Sequence, residues 1–151
     1  MGVSVLAAVR PDSWNLPLFV HIFGAMLLVG ALVLAATYLF AAWRGDSADS
    51  LRYALRSLTL GAFPGYILLR GSSEWIADKE GWNNVDPAPN WIDVGYIVAD
   101  AGLLLLIIAS LAGWLALRRG VAGGVRVAAV LVALLIVADV VAIWAMTTKP
   151  V

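Results

Sequence analysis

The sequence predicts an all-α polytopic membrane protein, folded as an antiparallel bundle of four transmembrane helices. Two observations carry this prediction. The chain of 151 residues is 62% hydrophobic and only 13% charged, with a mean hydropathy of +0.91, whereas soluble domains carry about 25% charged residues. Apolar runs also recur four times, separated by polar connections. Residues 1–151 are therefore predicted to form a single domain whose partner is the lipid bilayer.

The first predicted span covers residues 16–43. Between Asp12 and Arg44 there is no Lys, Arg, Asp or Glu, and a membrane span needs roughly 20 apolar residues. The core of a signal peptide is only about 7–15 residues long and is followed by a small-residue cleavage site. No such site follows here, so the segment is predicted to be retained as the first helix.

Each of the other three predicted spans reaches membrane-crossing length only if it includes a charged residue. These spans cover residues 56–76, 92–117 and 125–147, and they contain Arg70, Asp100 and Asp139, respectively. The connections between helices are polar or rich in glycine. The longest connection, an outer loop at residues 77–91, is rich in turn-forming residues.

Basic residues set the predicted orientation, because cytoplasmic connections carry an excess of Lys and Arg. One side of the bundle holds Arg44, Arg52, Arg56, Arg118, Arg119 and Arg126. The other side holds fewer basic residues, namely Arg10, Arg70, Lys79 and Lys149. Both termini and the 77–91 loop are therefore predicted to lie outside.

The polar residues of the four helices converge on one level. His21, Arg70, Asp100 and Asp139 come one from each helix, and each falls about 8–14 Å below the outer boundary at ~1.5 Å per residue. A lone charge in a membrane helix costs about 2.5–3.5 kcal/mol or more. We therefore expect Arg70 to pair with Asp100 or Asp139 inside the bundle, which leaves one carboxylate for His21 or for a ligand.

Glu74 belongs to the same candidate site, because it shares a helix face with Arg70 at a spacing of four residues. A purely structural Arg–Asp pair is an equally good interpretation of Asp100 and Asp139. A histidine on an apolar helix is more often a hydrogen-bonded interior residue than a ligand. The pattern thus leaves a ligand site and a structural ion pair as alternatives.

Two stretches carry a family resemblance. "LPLFVHIFGAMLLVGALV" places one histidine early in helix 1 before small residues, and "AIWAMTTKP" closes the last helix. The chain resembles uncharacterised bacterial four-helix membrane proteins, actinobacterial ones among them, grouped loosely with the copper-resistance CopD domain and HemJ-like oxidases. The resemblance implies a bacterial plasma-membrane protein in which His21 is a candidate ligand for haem or copper. As His21 is the only histidine, haem would need a His–Met site, a five-coordinate site or a homodimer.

Several function classes are disfavoured. The absence of cysteine removes disulfides and thiolate catalysis, and the sequence contains no catalytic or phosphate-binding motif, so an enzyme is not expected. No basic cluster predicts nucleic-acid binding.

Three hypotheses stand. The first is transport of a small solute or ion, or a proton relay, through the polar site. The second is haem or metal binding at His21. The third is a non-catalytic membrane assembly subunit that uses the tryptophan-rich outer loop, and homo-oligomerisation is left open.

Overall fold

The computed structural model describes residues 12–45, 48–82 and 90–148, which are helical apart from short turns. A 3-10 turn, Asp12–Trp14, leads into the first helix. The α-helices are α1 (Asn15–Trp43), α2 (Ala48–Arg56), α3 (Phe63–Glu80), α4 (Asn90–Arg119) and α5 (Ala122–Thr148), and a π-helical segment (Ser57–Ala62) joins α2 to α3 without a break. We call this continuous unit of α2, the π-helical segment and α3 the second rod. The predicted all-α bundle is confirmed.

Among the described residues, three helices are long and apolar enough to cross a membrane: α1, α4 and α5. The second rod carries more polar residues and packs lengthwise against α1. It extends beyond the predicted span 56–76 at both ends, and it includes the first residues of the predicted outer loop. Helix α3 continues until Gly81, whose φ of 77° is the left-handed conformation that commonly ends a helix. Both chain termini and loop residues 83–89 lie outside the described residues.

Packing between the helices is uneven. Helix α1 packs extensively against the second rod, and α4 packs extensively against α5. These two helix pairs are joined mainly where α1 meets α5, whereas α3 and α4 touch at few points. We call the line between α3 and α4 the α3–α4 seam. We call the end of the bundle where α1 and α4 begin and α3 and α5 end the outer end, following the predicted orientation.

Two glycines bring the backbones of α1 and α3 together. A Cβ atom on Gly24 would lie 2.6 Å from the backbone nitrogen of Leu69, and one on Gly65 would lie 2.6 Å from that of Leu28. No side chain fits at either position, so close contact between the helices depends on glycine. This contact holds the start of α1, with His21, directly against α3.

The apolar core fills the bundle from its middle to its inner end. Its largest fully buried side chains there are Leu32, Leu39, Leu58, Leu106 and Val132. Large apolar side chains such as those of Phe19, Ile97 and Val140 are exposed on the outside of the bundle. An apolar surface of this extent is typical of membrane contact. The ionisable side chains of His21, Arg70 and Asp139 lie in the outer half of the bundle.

Candidate functional site

A cleft in two parts occupies the outer half of the bundle. The inner chamber has a volume of about 100 Å³ and the outer chamber about 230 Å³. The chambers adjoin, because six residues border both of them: His21, Arg70, Ser73, Gly95, Ala99 and Met146. Together they form a continuous path from the outer end towards the middle of the bundle, which we call the cleft.

Three of the four predicted helices contribute ionisable side chains to the inner chamber. His21 comes from α1, Arg70 from α3 and Asp139 from α5. Helix α4 contributes small residues instead, among them Gly95 and Ala99. The rest of the wall is mostly aliphatic. The inner chamber is thus an apolar cavity with a few polar groups pointed at one space, which is typical of ligand sites.

The guanidinium group of Arg70 contacts Glu74, Asp100 and Tyr96, among other side chains. It forms an ion pair with Glu74 on its own helix, and its Nε lies 3.6 Å from Oδ1 of Asp100 on α4. Its central carbon also lies 4.7 Å from the ring centroid of Tyr96, a cation–π distance. The predicted pairing of Arg70 with a neighbouring aspartate is therefore present, and the shared face with Glu74 is used as well.

The position of Asp100 differs from the expectation of a pair deep inside the bundle. Its side chain is 70% exposed, against 28% for Arg70. The pair therefore lies in the α3–α4 seam, at the edge of the bundle. In the described part of the chain, neither Glu74 nor Asp100 borders a chamber of the cleft. Glu74 and Asp100 therefore contact Arg70 from outside the cavity.

Asp139 reaches the inner chamber without an ion pair to Arg70. Its Oδ2 atom is buried, and no group in residues 12–45, 48–82 or 90–148 forms a hydrogen bond with it. A buried acceptor without a partner costs about 1–3 kcal/mol. Natural proteins rarely keep such a group without a functional reason. The carboxyl group is therefore available to a donor that enters the chamber.

His21 is anchored to α3 by two serines. Its Nδ1 lies 3.4 Å from Oγ of Ser72 and 3.3 Å from Oγ of Ser73. Each hydroxyl donates its single hydrogen to a backbone carbonyl, Ser72 to Leu68 at 2.6 Å and Ser73 to Leu69 at 2.8 Å. With both hydroxyl hydrogens directed to carbonyls, the serines can accept from the ring, which predicts the neutral tautomer with its hydrogen on Nδ1 and a lone pair on Nε2. The ring also forms a hydrogen bond with the backbone of Leu69.

The structure thus brings His21, Arg70 and Asp139 to one chamber and places Glu74 and Asp100 behind Arg70. Sequence analysis did not include Ser72, Ser73, Tyr96 or Met146 in the site. The sequence did indicate that the two serines could belong to the site, because they follow Arg70 closely at the end of an apolar run. Tyr96 had one too, because it precedes Asp100 by four residues on the same helix face.

The described residues show no cluster of metal ligands, and the inner chamber alone is smaller than a porphyrin site. Within the described ranges there is no group of three or more His, Cys, Asp or Glu residues that could hold a metal. His21 and Met146 border both chambers, but the inner chamber of about 100 Å³ is well below the ~300–1,000 Å³ of pockets for drug-sized ligands. A porphyrin belongs to that size class. The metal role predicted for His21 gains no support from this geometry.

Comparison with known proteins gives no relative to argue from. No protein-family model, no curated protein and no solved structure matches the chain. The resemblance to CopD-like and HemJ-like membrane proteins therefore stays an expectation based on helix 1. What the chain does has to be inferred from the cleft and its residues.

Proposed function

We propose that the protein is a multi-pass protein of the bacterial plasma membrane, with both termini outside, that binds a small solute or ion in its cleft as a step in transport. The observation that carries the proposal is Asp139, which borders the inner chamber and whose buried Oδ2 has no hydrogen-bond partner among the described residues. An ionisable residue kept inside a membrane bundle, facing its interior, most often marks a substrate or ion path. The cleft gives that path an entrance at the outer end.

Side-chain contacts hold the wall of the outer chamber in place at the entrance of the cleft. Trp82 and Trp91 both line the outer chamber, with ring centroids 5.7 Å apart in an edge-to-face arrangement. The indole Nε1 of Trp82 donates to Oε2 of Glu80 at 2.6 Å, which fixes its ring. These contacts give Trp82 and Trp91 a place in the cleft wall. This favours solute binding over the hypothesis that the outer tryptophans form the contact surface of an assembly subunit.

Thiol labelling tests this proposal directly, because the natural sequence contains no cysteine. Ala99 borders both chambers, while Ile97, two residues earlier on the same helix, is 66% exposed on the lipid side. In right-side-out membrane vesicles, a membrane-impermeant charged thiosulfonate should label Ala99→Cys and leave Ile97→Cys unlabelled. Labelling of Ala99→Cys only from the inner side, or from neither side, would refute an outward-opening cleft.

A proton relay is a second candidate function, favoured by His21 and Asp139 bordering the same inner chamber. The free lone pair on Nε2 and the free carboxylate oxygen are both proton acceptors. In proteoliposomes with an internal pH-sensitive dye, wild type should carry a proton flux that Asp139→Asn and His21→Asn abolish. His21→Asn retains a hydrogen-bond donor towards the serines but has no nitrogen that can take up a proton. Wild-type flux equal to that of empty vesicles would exclude the relay.

A further inference from the structure

We propose that the ligand of the cleft is a small organic cation of the alkylammonium class, whose ammonium group binds Asp139 and whose hydrocarbon body packs in the inner chamber. This inference rests on the proposed function and names its substrate class. Three separate features of the cleft support it: the charge that is left unpaired, the composition of the walls, and the aromatic lining of the entrance.

The unpaired charge of the cleft is negative. Arg70 is the only Lys or Arg that borders either chamber among the described residues, and it already has Glu74 and Asp100 as partners. An anion would have to compete with both acids. Asp139, in contrast, offers a buried oxygen without a donor, and Glu80 adds a second acid at the outer chamber. A ligand that completes this site therefore brings a positive charge and N–H donors.

The walls of the inner chamber distinguish an organic cation from a metal ion. Hard metal cations require six or more oxygen ligands, or keep several of their waters. Here one carboxylate faces aliphatic side chains such as those of Leu28, Leu106, Leu135 and Ile143. An alkylammonium ion needs few polar partners and gains from contact with the aliphatic wall. A volume of about 100 Å³ limits it to a short chain.

The entrance is lined by aromatic rings. Trp82, Trp91 and Tyr96 all border the outer chamber, and the faces of such rings attract cations within ~6 Å of the ring centroid. The ring of Tyr96 already holds one cation in this way, since the guanidinium carbon of Arg70 lies 4.7 Å from its centroid. A cationic ligand thus meets favourable surfaces before it reaches Asp139.

The test compares n-butylammonium with 1-butanol, which has the same number of heavy atoms and no charge. Binding to the purified full-length protein in lipid nanodiscs is measured by calorimetry, with empty nanodiscs subtracted. n-Butylammonium should bind saturably and at least ~10-fold more tightly than 1-butanol, because only the ammonium group can form a hydrogen bond with Asp139 in which both donor and acceptor are charged. Asp139→Asn should abolish the preference for n-butylammonium over 1-butanol. Asp93→Asn, a matched control at an exposed acid of α4 outside the cleft, should retain it.

Three results would overturn the inference. The first is the absence of saturable n-butylammonium binding to wild type. The second is equal binding of 1-butanol and n-butylammonium, unaffected by Asp139→Asn. This second result would mean that the cleft binds an uncharged solute, so the proposed function would stand. Failure to label Ala99→Cys would instead refute the outward-opening cleft on which the proposed function depends. The third is loss of n-butylammonium binding in Asp139→Glu, a variant that retains the charge and guards against a folding defect in Asp139→Asn.

Discussion

The Nε atom of Arg70 lies 3.6 Å from Oδ1 of Asp100, across the seam between α3 and α4. The same guanidinium group also stacks on Tyr96, again on α4. As these two helices otherwise meet at few points, one arginine side chain supplies a large share of the contact between them. It also borders both chambers of the cleft. Arg70 therefore joins the two helix pairs and forms part of the cleft wall.

Replacing Arg70 should loosen the seam. We expect Arg70→Met to lower the free energy of unfolding by about 1–2 kcal/mol, because it removes the cation–π contact with Tyr96 together with the ion pairs to the exposed Glu74 and Asp100. Thermal unfolding in detergent measures this, and Arg52→Met is the control. Arg52 pairs with Asp49 where both side chains are mostly exposed, so its loss should cost no more than about 1 kcal/mol.

A double-mutant cycle tests whether Arg70 and Asp100 act as a pair. If they do, Asp100→Asn should cost less in the Arg70→Met background than in wild type, with a coupling of about 0.5–3 kcal/mol. Strictly additive effects would show that the contact across the seam contributes nothing. Arg70→Lys should not restore full stability, because an ammonium group lacks the planar face that stacks on Tyr96.

The glycine contact between α1 and α3 predicts a position-specific effect of added methyl groups. Gly65→Ala should destabilise the protein by about 1–3 kcal/mol, because the new Cβ would overlap the backbone of Leu28 and force the helices apart. Gly71→Ala is the matched control on the same helix, since no atom of the described residues outside its own stretch of helix lies within 4 Å of its Cβ position. That change should be neutral or stabilising by up to about 1 kcal/mol. Equal effects at both positions would contradict the close packing.

Removing the unpartnered carboxylate should increase stability while abolishing binding. Asp139→Leu eliminates a buried acceptor without a partner, and we expect a gain of about 1–3 kcal/mol in thermal unfolding. Leu135→Ala, one turn earlier and 4% exposed, should instead cost about 2–5 kcal/mol. A strongly destabilised Asp139→Leu would mean that the carboxylate has a structural partner in the folded protein.

The tautomer of His21 can be read from a single spectrum, because the protein has one histidine. ¹⁵N chemical shifts of labelled protein should show hydrogen on Nδ1 and a free lone pair on Nε2 in the neutral ring. The double replacement of Ser72 and Ser73 by alanine removes both acceptors and should shift the population towards the other tautomer. A wild-type ring protonated on Nε2 would refute the proposed hydrogen bonding.

Hydropathy and polar connections were enough to predict the helices, since spanning length is fixed by the bilayer. The common level of His21, Arg70 and Asp139 along the bundle could also be predicted, because the rise per residue is constant. The direction in which each of these side chains points about its helix axis could not be predicted. Helices α4 and α5 are apolar on nearly every side, so the sequence does not indicate which face turns inward. Asp100 and Asp139 therefore looked equivalent, although one lies in the seam and the other in the inner chamber.

The serines beside His21 were missed for a related reason. A hydroxyl in a membrane helix usually bonds to a carbonyl of its own preceding turn, and Ser72 and Ser73 do so. Their second role, as acceptors for the ring of His21, depends on how closely α1 approaches α3. That distance is set by Gly24 and Gly65 together, and neither glycine alone reveals its partner in the sequence.

The uneven packing of the helices has a mechanical consequence. Helix α1 is in backbone contact with the second rod, and α4 packs extensively against α5. Each of these units is expected to behave as a rigid body, so that widening the cleft requires a rocking of one unit against the other about the α1–α5 contact. Such a rocking would stretch the contacts of Arg70 across the α3–α4 seam first.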